Sequence, residues 1–96
     1  MEPSTGKSSV LVVDDTPSNL MALTAVLGPL GVRVVQARSG AEALARLQDE
    51  EFAVVLLDVQ MPEMDGFEAA SRIRATEHGR ELPIIFLTAL HRDEAF

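Results

Sequence analysis

Four short aliphatic runs, Val10-Leu-Val-Val13, Val32 to Val35, Ala53-Val-Val-Leu-Leu57 and Ile84-Ile-Phe-Leu87, alternate with three stretches of helical periodicity. Runs this short and this rich in branched side chains read as strands. The first helix is predicted to start at Thr16-Pro17, a capping residue followed by proline at the first helical position. It carries Leu20, Leu23 and Leu27 on one face and ends at Gly28-Pro29 and Gly31. The second opens on a capping box, Ser39-x-x-Glu42, and turns Ala43, Leu44 and Leu47 inward. The third opens on Asp65-x-x-Glu68, is expected to bury Phe67, Ala70 and Ile73, and stops near Gly79. Strict alternation of strands and helices requires parallel strands joined by right-handed crossovers, because parallel neighbours cannot be linked by a tight turn. The fold class is therefore α/β with an open parallel sheet. Arg33 and Gln36 interrupt the second strand and place it at an edge, whereas the other three strands are apolar throughout and should be covered on both faces.

Composition narrows the function. Across 96 residues, 8 Lys+Arg against 15 Asp+Glu leave a net charge of −7, with no basic stripe to hold a phosphate backbone, so direct nucleic-acid binding is not expected. The absence of Cys removes disulfides, thiolate metal sites and cysteine nucleophiles. No apolar run approaches membrane-spanning length and the opening residues lack the apolar middle of a secretory signal, so no membrane partner and a cytoplasmic location are expected. Residues 1–9 read as a disordered lead-in and 10–96 as one domain. The fourth strand is as apolar as the central ones, yet only His91-Arg-Asp-Glu-Ala-Phe96 lies beyond its immediate exit. The fold is thus expected to be incomplete at its C-terminus, with strand four an apolar edge open to self-association.

The polar residues at the strand exits carry the chemistry. Asp14-Asp15 come directly after the first strand, Asp58 after the third and Thr88 after the fourth, all at carboxyl ends, which share one rim in an open parallel sheet. Two unit charges roughly 5 Å apart repel by about 3 kcal/mol at an effective dielectric of 20. Three carboxylates in one pocket therefore call for a cation or for protonation of one member. Carboxylates without His or Cys partners select a hard divalent ion, and few protein ligands completed by water suit Mg²⁺ best, with Mn²⁺ also compatible. Beside such an ion one carboxylate can attack a phosphoryl group, with the Thr88 hydroxyl donating a hydrogen bond to it. The plainer alternative is that each Asp merely caps a helix; one Asp after a strand would fit that, but three with a Thr in register are not accounted for by it.

At these residues the sequence resembles the receiver domain of two-component response regulators and hybrid histidine kinases. The matching pieces are Val10-Leu-Val-Val-Asp-Asp15, the segment Leu56-Leu-Asp-Val-Gln-Met-Pro-Glu-Met-Asp-Gly66, and Pro83-Ile-Ile-Phe-Leu-Thr-Ala89. The resemblance implies the flavodoxin-like receiver fold with strand order 2-1-3-4-5, of which strand five and the last helices are expected to be missing. It implies that Asp58 is the phosphoacceptor for a phosphohistidine on a partner histidine kinase or histidine phosphotransfer domain. Asp15 would ligate Mg²⁺ directly, Asp14 through water, and the backbone carbonyl of Gln60 would add a ligand. Thr88 would be the switch hydroxyl, and Ala89 would leave room for the phosphoryl group. The family's strand-five lysine has no counterpart, since Lys7 is the sole Lys; metal binding is therefore expected to survive better than switching.

The implied role is a phosphorelay switch that is not an enzyme on a free substrate and whose only chemistry is its own phosphorylation and dephosphorylation. Two rivals stand beside it. A metal-dependent Asp phosphohydrolase is disfavoured, because the position two residues after Asp58 is Gln60, where such an enzyme wants an acid/base Asp. A degenerate receiver would bind partners through helix one and the strand-four edge without phosphotransfer. Other signals carry less. Gly6-Lys7-Ser8 precedes a strand, where a phosphate-binding loop must come after one. His78 and His91 read as surface, Met61 and Met64 as packing in a loop, and Arg46, Asp49, Glu50, Arg72, Arg74 and Glu77 as solvent-facing helix.

Overall fold

A computed structural model describes residues 8–61 and 64–87. The elements keep the expected alternation: β1 (Ser9–Val13), α1 (Pro17–Leu27), a 3₁₀ turn (Gly28–Leu30), β2 (Arg33–Ala37), α2 (Gly40–Asp49), β3 (Val54–Asp58), α3 (Gly66–Arg74) and β4 (Ile84–Leu87). All three strand pairings are parallel, in the order β2-β1-β3-β4. The polar-interrupted second strand is an edge, as its Arg33 and Gln36 require, and it pairs one to two residues later than its aliphatic run. β1 begins at Ser9, one residue inside the stretch read as a lead-in; residues 1–7 lie outside the described residues.

Alternation along the strands divides the core between the two faces of the sheet. Leu11, Val13, Val55 and Leu57 face α2 and α3 and pack with Ala43, Leu47, Ala69 and Ile73. Val10 and Val12 face α1 and pack with Leu20, flanked by Leu23, Leu27, Val54 and Leu56. The helix boundaries have local causes. Gly31, at φ +81°, closes the turn after α1 in the left-handed conformation that favours glycine. Ser39 accepts the Glu42 N–H at 3.0 Å and Asp65 accepts the Glu68 N–H at 2.8 Å, capping α2 and α3 as expected. Thr16 departs from expectation, because it makes no side-chain cap.

Four further expectations are corrected. Phe67 is not buried but 64% exposed; the inward stripe of α3 is Gly66, Ala69 and Ile73, with Ala70 only partly buried. Gly66 turns the helix this way, since a Cβ there would stand 2.5 Å from the Asp58 carbonyl oxygen, so Gly66 faces the sheet and Phe67 turns outward. Its ring meets that of Phe86 on β4, with centroids 5.0 Å apart. α3 ends at Arg74, before Gly79, and Arg74 is not simply a solvent-facing charge: its guanidinium donates to the carbonyls of Gly79 and Leu82 and ties down the turn after the helix. β4 is not covered on both faces among the described residues, where Ile85 is 51% and Phe86 41% exposed.

Candidate functional site

The parallel register of β1 and β3 builds the site. Val13 is opposite Leu57, so Asp14 and Asp58, each the next residue, leave adjacent strands side by side at the carboxyl rim. Each carboxylate is held over its own strand exit by an i to i+2 hydrogen bond. The Thr16 N–H donates to Asp14 Oδ1 at 2.9 Å, and the Gln60 N–H donates to Asp58 Oδ1 at 3.1 Å. Asp14 occupies the Thr16 N–H and also accepts from Asn19 Nδ2 at 3.3 Å. The start of α1 is thereby organised by an aspartate from the strand exit, while the Asn19 N–H that a Thr16 side-chain cap could accept is donated to the Thr16 carbonyl at 3.0 Å.

Asp14 and Asp58 are only 4% and 6% exposed, while Asp15 is half-buried. Each of the three offers a carboxylate oxygen, and these oxygens lie within 4.8 Å of one another. Burial, the largest influence, pushes the Asp58 carboxyl above its ordinary value, and the charges of Asp14 and Asp15 and the Asp14 side chain push the same way. The Gln60 N–H opposes them by hydrogen bonding to the carboxylate. Buried like charges at this separation, with no cationic side chain hydrogen-bonded to them among the described residues, fit a hard divalent cation with oxygen ligands.

Of the residues singled out in the sequence, Asp14, Asp15 and Asp58 converge, and Gln60 sits beside them through its N–H. Thr88, Ala89 and His91 lie outside the described residues; Thr88 comes directly after Leu87, the register partner of Asp58. Sequence reasoning missed Asn19, although its signal was present: a polar amide in the first turn of a helix that starts directly beyond the acidic pair. It also missed a cleft of about 420 Å³ beside the carboxylates, bounded by Asp15, Arg38, Ser39, Gly40, Met61 and Met64. The walls of this cleft come from three separate connections, so no single motif announces it. Met61 is packing as expected, at the buried base of the loop.

A family model described as the response regulator receiver domain matches residues 10–96. Among curated relatives, the sensor histidine kinase GacS of Pseudomonas protegens is 45% identical over 83 residues, which is 83% of this chain and 9% of that protein. The virulence sensor protein BvgS of Bordetella bronchiseptica is 49% identical over 81 residues, 80% of this chain and 6% of that one. The chain thus spans under a tenth of the length of these relatives. Among solved structures, the receiver domain of a sensor histidine kinase of Pseudomonas aeruginosa, with magnesium coordinated in its active-site cleft, superposes with a TM-score of 0.82 at 36% identity. That match covers 90% of this chain and 70% of the other. The response regulator TrrA of Thermotoga maritima, in complex with Mg²⁺-BeF, gives 0.78 at 32% identity, covering 91% and 76%.

Proposed function

The chain belongs to the response regulator receiver domain family, the phosphoacceptor module of two-component signalling, and from that premise we propose that Asp58 accepts a phosphoryl group from a partner's phosphohistidine. The observation that carries this reading is the meeting of three carboxylates within 4.8 Å, two of them buried. An Asp58 carboxylate oxygen forms the new P–O bond as the donor's P–N bond breaks, and the electron pair leaves with the imidazole, which takes up a proton. The Gln60 N–H holds one Asp58 oxygen, so the other is free to attack. A divalent cation, Mg²⁺ or Mn²⁺, held by Asp14, Asp15, Asp58 and the Gln60 carbonyl, would neutralise the carboxylates and the incoming phosphoryl oxygens. Asn19 and the Thr16 N–H fix Asp14 for that role. Thr88 donates its hydroxyl to the phosphoryl group and switches the far face. Slow hydrolysis of the acyl phosphate resets the site.

The partner is a histidine kinase or a histidine phosphotransfer domain. α1, which contains no charged residue and leaves Met21 and Val26 exposed, lies directly beyond Asp15 and presents an apolar surface for such a partner. No helix among the described residues is long and apolar enough to cross a membrane. A second reading, an interaction module that self-associates along β4 without phosphotransfer, is favoured by exposed apolar side chains on both faces of that edge strand, Phe86 beside Phe67 on one and Ile85 on the other.

Incubation with Mg²⁺ and acetyl phosphate, read by intact mass, is expected to add one phosphoryl group. The adduct should vanish in Asp58→Asn and without divalent metal. A folded protein that binds Mg²⁺ but forms no adduct would move the assignment to the interaction module, and sustained release of phosphate would move it to a hydrolase.

A further inference from the structure

Two glycines, Gly66 and Gly40, make close approaches to Val59 and Met64, on either side of the connection between β3 and α3. The Gly66 N–H donates to the Val59 carbonyl at 3.1 Å, and a Cβ on Gly66 would lie 2.6 Å from Val59 Cα. That closure is backbone against backbone. The second contact comes from another element. A Cβ on Gly40, the first residue of α2, would stand 2.5 Å from Met64 Sδ and 3.3 Å from Met64 Cγ. Gly40 is not among the residues of positive φ, so its backbone does not demand glycine, and glycine is a poor helix residue. The space above Gly40 is what requires it, and Met64 fills that space.

Resting on the reading of the carboxylate cluster as a Mg²⁺ site, we infer that Met64, seated on Gly40, is a positioning residue that packs the start of α3 against the start of α2 and keeps the cleft beside Asp15 clear. The thioether belongs to the core on one side, packed against the cluster that includes Ala43 and Ala69. On the other it borders the cleft shared with Asp15, Met61 and Arg38. A methyl group at position 40 meets the far end of a flexible side chain, not backbone, so the fold survives and Met64 is displaced. Its way out is the cleft beside Asp15, where the displaced thioether crowds that carboxylate.

Calorimetric titration of Mg²⁺ into the full chain, together with the Met64 methyl signal in NMR, tests this. Gly40→Ala is expected to weaken Mg²⁺ binding by about threefold to tenfold, the upper end being the small-effect limit for losing an outer support of a metal ligand, and to shift the Met64 methyl resonance. Met64→Ala alone is expected to weaken binding by a smaller factor. The double variant, in which the new methyl occupies the vacated seat, should bind Mg²⁺ better than Gly40→Ala. A purely structural role predicts instead that the two losses add in the double variant. Additive losses, or a Gly40→Ala protein with native Mg²⁺ affinity and an unmoved Met64 signal, overturn the inference. A native protein that binds no Mg²⁺ at all overturns the metal-site reading and this inference with it.

Discussion

The two faces of the sheet are built on different terms. On one, α2 and α3 are amphipathic, side-chain capped and laced with i,i+4 pairs, Glu42 with Arg46 and Glu68 with Arg72, and they cover most of the buried core. On the other, α1 has no charged residue, no side-chain cap and exposed Met21 and Val26, and it covers only Val10 and Val12 together with its own Leu20 as fully buried residues. Both faces obey the same packing rule inward; outward, α2 and α3 present paired charges interrupted by Phe67, whereas α1 presents no charge at all. The lesson is that α1 draws its place from the strand exit beneath it, through Asp14, and offers an apolar outer surface next to the carboxylates.

The largest expected difference between the faces is in core truncation. Ile73→Ala, fully buried under α3, should lower unfolding free energy by about 2–5 kcal/mol, and Leu27→Ala, half-buried under α1, by clearly less. Urea denaturation measures both, and equal losses would erase the distinction. Capping comes next. Ser39→Ala and Asp65→Ala should each lose about 1 kcal/mol, whereas Thr16→Ala should lose no more than a few tenths, since its hydroxyl caps nothing. A Thr16→Ala loss as large as the other two would contradict the view that Asp14 organises α1.

The smallest effect lies at the rim where the faces meet. The raised pKa of Asp58 means that the folded protein holds a proton there at pH values where the unfolded chain has released it. The associated stability is full below the ordinary carboxylate value and is lost as pH rises through the raised one. In metal-free buffer Asp58→Asn should therefore gain stability relative to the native protein as pH rises towards neutrality, and the gain should disappear in acid. Thermal unfolding across that range checks it; a native protein more stable than the variant at neutral pH without metal would reverse the assigned direction.

Much of this was legible in the chain itself. The period of the apolar residues set the strand and helix order, and three aspartates at strand exits announced a shared pocket, because a parallel sheet sends every carboxyl end to one rim. Phe67 was misread for a definite reason. Helical spacing identifies an apolar face but not its rotation about the axis, and that rotation was set by the close approach of Gly66 to the Asp58 and Val59 backbone. Met64 looked like filler because nothing local marks Gly40, far back in the chain, as its seat.

Sequence alone therefore determined the class of sheet, the edge position of β2 and the identity of the carboxylates, since each depends on short-range pattern and on which residue ends a strand. Tertiary structure decided which side chains fix those carboxylates, how α3 is turned, and that Met64 lies over Gly40. Those outcomes depend on close approaches between segments distant in the chain, where a few tenths of an ångström select one packing over another, and such distances are set only when all the layers are assembled.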